Sequence, residues 1–172
     1  SDVIALGLNC VEHVDEPADA TKQASLPKVP ILFSKASGSI AGPFDDIRVD
    51  RAVVQKVDWE VELALMIGKG GRDIQPENAY DHIFGYMVAN DVSGRDLQFL
   101  DGGQWYRGKG LDTFCPIGPW IVTRDELGEA RALRLEMRIN GVTKQSATTD
   151  LMIFDIPTTI ASVSAARTLV AG

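Results

Sequence analysis

DWEVELALMIG, running from Asp58 to Gly68, alternates with the period of two that a half-buried strand requires. One face carries Trp59, Val61, Leu63, Leu65 and Ile67, and the other carries Asp58, Glu60, Glu62, Ala64 and Met66. Glu60 and Glu62 therefore point the same way, with Cα atoms about 6.5 Å apart. Their face continues as Ala64 and Met66, which is not the makeup of a plain solvent face. Two carboxylates held on a half-buried surface repel, so one takes up a proton or a cation joins them. A solvated edge strand with acidic outward positions fits the same alternation, and the pattern alone does not choose.

Strand signals continue outward from this segment. Gly85 to Asp91 (GYMVAND) predicts a strand, as do Ser1 to Leu8 and Ile31 to Phe33. Leu133, Leu135, Met137 and Ile139 alternate with Arg134, Glu136 and Arg138, and Asn140-Gly141 follows as a hairpin turn. Residues 9–30 hold three prolines and few large apolar groups, which predicts a mobile loop with one helical turn. Pro76 to Ile83 suits a short helix with Pro in its first turn. Thr123-x-x-Glu126 reads as a capping box. Pro157 to Val170 reads as a helix with Gly172 at its C-terminal cap. Strands dominate, so the expected fold class is α+β and β-rich, with few helices.

The chain has 172 residues, 45% of them hydrophobic and 24% charged, which suits a single domain spanning 1–172 with a real core. Its formal net charge of −7 offers no basic surface to a phosphate backbone, so nucleic acid is not an expected partner. Two cysteines, Cys10 and Cys115, are too few for a disulfide framework and point to a reducing, cytoplasmic setting. No apolar run approaches a membrane span, so no membrane partner is expected. The histidines, His13 and His82, number only two, so a metal site would have to be built mainly of carboxylates, favouring Mg, Mn or Ca over Zn.

Further residues join Glu60 and Glu62 as candidates. Asp91 ends an apolar strand, where it either caps a turn or serves as a third oxygen ligand. His13 and Glu16 stand at i, i+3 on one side of a helical turn that Pro17 stops. A carboxylate against an imidazole raises its basicity, which suits a general base for water, although an exposed polar turn has the same spacing. Lys109 lies in GQWYRGKG, a near match to a phosphate-binding loop that fails where Gly110 replaces the Mg-binding hydroxyl. A lysine between two glycines is a cation held by a tight loop, able to meet an anionic substrate or a developing oxyanion, or else a plain surface lysine.

Taken in order, LNCVEHVDE, FSKASGSIAGP, DWEVELALMIG, YMVANDVSGRDLQ, GKGLDTFCPIGPWIVT and NG-x-x-x-Q resemble the fumarylacetoacetate hydrolase family over about 140 residues. The resemblance implies a mixed β-sandwich roll with small peripheral helices, in a homodimer. It implies that Glu60, Glu62 and Asp91 hold Mg2+ or Mn2+, and that His13 and Glu16 form a water-activating dyad on a lid. Lys109 matches the family's catalytic lysine, and Arg95, Gln98, Lys35 and Thr113 match substrate-facing positions. The expected reaction is hydrolysis of the C–C bond of a small anionic 2,4-dioxo acid, giving pyruvate and a carboxylic acid. Decarboxylation of oxaloacetate, or isomerisation, is the alternative within the family. The GGQW…GKGLDTF run is most similar to bacterial members acting on diketo-deoxy sugar acids. Cys10 departs from an aromatic position of the family's LNY motif. Members also continue past the position of Gly172 into a TGTP motif, and many carry an N-terminal segment, so the resemblance implies a trimmed, proteolysed or partly ordered chain.

Overall fold

The strand expected over residues 58–68 forms in two pieces. Its backbone pairs as β4 (Val57–Asp58), breaks, and resumes as β5 (Val61–Ile67) in the computed structural model, which describes residues 2–10 and 26–172. Side-chain oxygens cause the break. Asp58 Oδ1 accepts from the Trp59 backbone N at 2.9 Å, and Asn90 Oδ1 accepts from the Glu60 N at 3.1 Å. Both donors are thereby withdrawn from a continuous ladder. Glu60 lies in the break and Glu62 on β5, and both still reach the same side of the sheet.

β5 pairs antiparallel with β6 (Ile83–Asn90), which pairs antiparallel with β8 (Cys115–Thr123), and β8 pairs parallel with β3 (Ile40–Ala41). β1 (Val3–Gly7) and β2 (Ile31–Lys35) form a second antiparallel pair, and β4 joins β7 (Ser93–Gly94) in a short third. β9 (Arg134–Ile139) and β10 (Val142–Thr148) form the expected hairpin. Asn140 and Gly141 both take positive φ, 51° and 78°, as a tight hairpin turn requires. Helices are short: α1 (Arg95–Gln98), α2 (Trp105–Lys109), α3 (Arg124–Leu127) and α4 (Ile156–Ala166). No described helix is long and apolar enough to cross a membrane. The architecture is α+β and strand-rich, as the sequence leads one to expect.

Three local expectations are corrected. The helix over Pro157 to Val170 is shorter than expected. Asp155 caps it, accepting from Thr158 N at 2.8 Å, but it ends at Ala166. Leu169 then leaves to exchange backbone bonds with Gly71, at 2.8 and 3.0 Å, while its side chain enters the core, so Gly172 caps nothing. Thr123 precedes α3 without making a side-chain cap bond, and this single turn closes through Gly128 N, which donates to Arg124 O at 2.7 Å. Residues 76–82 form a 3-10 rather than an α-helical segment, with Pro at its start.

Apolar burial divides into two clusters. The larger gathers Ile74, Ala79, Ile83, Tyr86, Ile156, Ile160 and Val163, with Leu63, Leu65 and Ile67 packed against it from β5. The smaller is Val54, Val92 and Phe114, with Val57, Leu97 and Leu111 around it. β5 and β6 thus lean on one cluster, and the turn after β6 leans on the other. The end of β6, where Asp91 stands, lies between them.

Candidate functional site

Glu60, Glu62 and Asp91 converge there, with one carboxylate oxygen from each lying within 4.8 Å of the others. Register explains the meeting: Val61 pairs with Asn90 and Glu62 with Ala89, so the chain entering β5 runs beside the chain leaving β6. Asp91 N donates to Glu60 O at 2.8 Å and locks that alignment. Asp91 is 2% exposed, too deep for a simple turn cap.

Three cations close around the trio. Lys109, also 2% exposed, donates from Nζ to Glu60 Oε2 at 2.6 Å, Asp91 Oδ2 at 2.6 Å and Ser93 Oγ at 2.8 Å. It is therefore no surface lysine, and it projects from the last residue of α2 rather than from a tight loop. Lys35 donates to Asp91 Oδ1 and, at 3.1 Å, to Val92 O. Arg95 donates to Glu60 Oε1 and to Asp58 Oδ2. Glu62 is placed near them by the pairing of β5 with β6 and makes no salt bridge among the described residues. Burial, then the neighbouring Asp91 and Glu60 charges, push its carboxyl from 4.5 up to about 8, against the opposing pull of Lys109 and Lys35.

The other sequence candidates fall as follows. Gln98 is buried, and its Oε1 accepts from Arg95 Nη1 at 2.9 Å. Thr113 sits apart from the trio in its hydrogen bonding, its Oγ1 accepting from Arg48 N at 2.8 Å. His13 and Glu16 lie outside the described residues. His82 serves the fold, with Nδ1 2.7 Å from Lys69 O.

Three features were not read from the sequence. Ser93, fully buried, props the Lys109 ammonium. Asp58 shares Arg95 with Glu60. Phe33 and Trp105 pair with ring centroids 5.2 Å apart, and the Lys109 ammonium lies 5.0 Å from the first ring and 6.0 Å from the second. Aromatic faces attract a cation there while excluding water from it. The signal was present but unread. Phe33 precedes Lys35 by two on a strand, and Trp105 precedes Lys109 by four on a helix, so each cation shares a face with a ring.

The donor set suits a hard divalent ion: three carboxylates, no imidazole or thiolate among them, and a raised carboxyl that a dication would deprotonate.

Comparison with known proteins places the chain in a family. The family model described as fumarylacetoacetate (FAA) hydrolase C-terminal matches residues 2–172. Oxaloacetate tautomerase fahd2, mitochondrial, of Xenopus laevis is 44% identical over 97% of this chain and 51% of its own length. Among solved structures, fumarylacetoacetate hydrolase (EaFAH) from psychrophilic Exiguobacterium antarcticum is 45% identical with a TM-score of 0.84, covering 99% of this chain and 59% of that one. The 5-carboxymethyl-2-hydroxymuconate delta-isomerase from Mycobacterium smegmatis is 39% identical with a TM-score of 0.86, over 100% of this chain and 64% of that one. The chain thus spans about half to three fifths of the length of the curated relatives it matches. Matched from residue 2 to residue 172 by the family model, it belongs to the fumarylacetoacetate hydrolase family.

Proposed function

We propose that this chain carries the catalytic centre of a divalent-metal-dependent enzyme that hydrolyses the C3–C4 bond of a 2,4-dioxo acid, a diketo-deoxy sugar acid being one such substrate. The observation that supports it is the meeting of Glu60, Glu62 and Asp91 beside the buried Lys109 ammonium. Glu60, Glu62 and Asp91 would hold Mg2+ or Mn2+. When bound, such an ion supplies a Lewis acid that polarises the oxygens of a 2-oxo acid. Lys35, Lys109 and Arg95 give the site a cationic edge that draws and orients an anionic acid. We assign His13, polarised by Glu16, to removing a proton from the water that adds to C4. Lys109 balances the oxyanion that forms there. The electron pair of the breaking C3–C4 bond then takes back, at C3, the proton that His13 removed from the water, giving pyruvate, while C4 leaves as the carboxylic acid of the second product.

A second reading keeps the same cations and omits the water: tautomerisation, isomerisation or decarboxylation of an oxo acid. It is favoured by the names of two relatives, an oxaloacetate tautomerase and a delta-isomerase. Product analysis on 2,4-dioxo acids and oxaloacetate, with Mn2+ or with excess chelator, separates the two. Chelator-sensitive release of pyruvate with a carboxylic acid is the expected result, and His13→Ala should nearly abolish it. Enol-to-keto conversion without cleavage, or pyruvate with CO2 from oxaloacetate alone, would replace hydrolysis by the second reading.

A further inference from the structure

Arg95 is held by two carboxylates at once. Asp58 Oδ2 accepts from its Nε at 2.9 Å and its Nη2 at 2.7 Å, and the same Nη2 also donates to Glu60 Oε1. Nη1 donates to Gln98 Oε1 at 2.9 Å. A guanidinium has five N–H donors, so among the described residues one hydrogen of Nη1 stays open. The second Asp58 oxygen is itself fixed, accepting from Trp59 N at 2.9 Å. Backbone pairing holds both partners in place: Asp58 pairs with Ser93, and Arg95 N donates to Lys56 O at 2.7 Å.

We infer that Asp58 is a positioning residue whose carboxylate limits the Arg95 guanidinium to a single N–H on Glu60, easing the entry of a cation at Glu60 and fixing the plane of Arg95's open N–H. The inference rests on the reading of Glu60, Glu62 and Asp91 as a divalent-ion site. Its physical basis is competition. A guanidinium with one carboxylate partner makes a two-pronged pair that occupies both oxygens. Glu60 has one oxygen on Arg95 and the other on Lys109, so a stronger claim by Arg95 comes directly at the expense of a metal ion. Asp58 prevents this by taking two of the guanidinium's N–H groups for itself. Its side chain is 38% exposed, so an amide in its place leaves no buried charge unpaired, and the variant should fold.

The test is Mn2+ affinity, read from the electron paramagnetic resonance signal of free Mn2+, together with melting temperature. Asp58→Asn should weaken Mn2+ binding by about tenfold, the scale of outer-shell changes, whereas Asp58→Glu, which keeps the charge, should stay within about threefold. In an Arg95→Gln background the guanidinium is gone, so adding Asp58→Asn should change the affinity by less than about twofold. Unchanged affinity in Asp58→Asn, or the same tenfold loss without Arg95, would overturn the inference while leaving the metal site standing. A wild-type chain that binds no Mn2+ would overturn the metal reading and the inference with it.

Discussion

Among the clustered carboxylates, Glu62 alone has no ammonium or guanidinium bonded to it from the described residues, whereas Glu60 and Asp91 each have two. Burial is the first reason that its carboxyl rises from 4.5 to about 8, followed by the Asp91 and Glu60 charges, which no cation bonded directly to Glu62 offsets among the described residues. A folded-state value above the unfolded one means that the folded chain binds the extra proton. The resulting stabilisation is complete below pH 4.5 and is lost as pH climbs through about 8. In chelator, the melting temperature should therefore fall as pH is raised across this window, and Glu62→Gln should flatten the fall. A wild-type melting temperature that holds level across the window would show that Glu62 is already ionised in the metal-free chain. The shared side of Glu60 and Glu62 was legible from period-two alternation alone. Their cationic partners were not, because Lys109 lies 49 residues from Glu60 and Arg95 lies 35, and no local spacing encodes such a meeting.

At the scale of elements, the cations depend on how closely short helices approach one another. Gly108, next to Lys109, shows this: a Cβ there would lie 2.6 Å from the backbone N of Gln98 and 2.7 Å from its Cα. Backbone atoms cannot rotate aside, so Gly108→Ala must push α2 off α1 and carry Lys109 away from the acidic trio. The expected cost is about 1–3 kcal/mol of stability, as for other overpacking changes, with loss of turnover. Gly38→Ala is the control, since its nearest neighbour would be Asp112 Oδ1 at 3.7 Å. If thermal melts and turnover gave Gly108→Ala and Gly38→Ala equal values, the close approach would not matter to the site. Elements were legible to the degree that their pattern was local. The Asn140-Gly141 hairpin and two strands of the main sheet, β5 and β6, were legible, since alternation and turn chemistry are properties of neighbouring residues, whereas β3 and β8 were not read as strands. The split at Trp59 and the end of α4 at Ala166 were not legible either. At the split, Asp58 takes the neighbouring Trp59 N–H but the Glu60 N–H goes to an Asn90 side chain 30 residues away, and α4 ends where Leu169 pairs with Gly71; these two distant contacts exist only once the chain has folded.

Across the whole molecule, the trio is assembled from chain segments that lean on different apolar clusters. Leu63 and Leu65 follow Glu62 into the larger cluster, while Val92 follows Asp91 into the smaller one, where Leu111 and Phe114 arrive from just beyond Lys109. Three carboxylates between the two clusters repel one another, and the described cations bond directly only to Glu60 and Asp91, reaching Glu62 through space. An ion binding all three would tie the clusters together and favour the folded chain over the unfolded one. At a hundredfold excess over the dissociation constant, such a ligand adds about 2.7 kcal/mol. For a chain of this length that corresponds to a rise of roughly 5–10 °C in melting temperature. Mn2+ should produce that rise in the wild type, excess chelator should reverse it, and Asp91→Asn should abolish it by removing the ligand on the smaller cluster's side. An equal rise in Asp91→Asn would place the ion elsewhere, and no rise in the wild type would mean that Lys35, Lys109 and Arg95 already satisfy the trio as the chain stands.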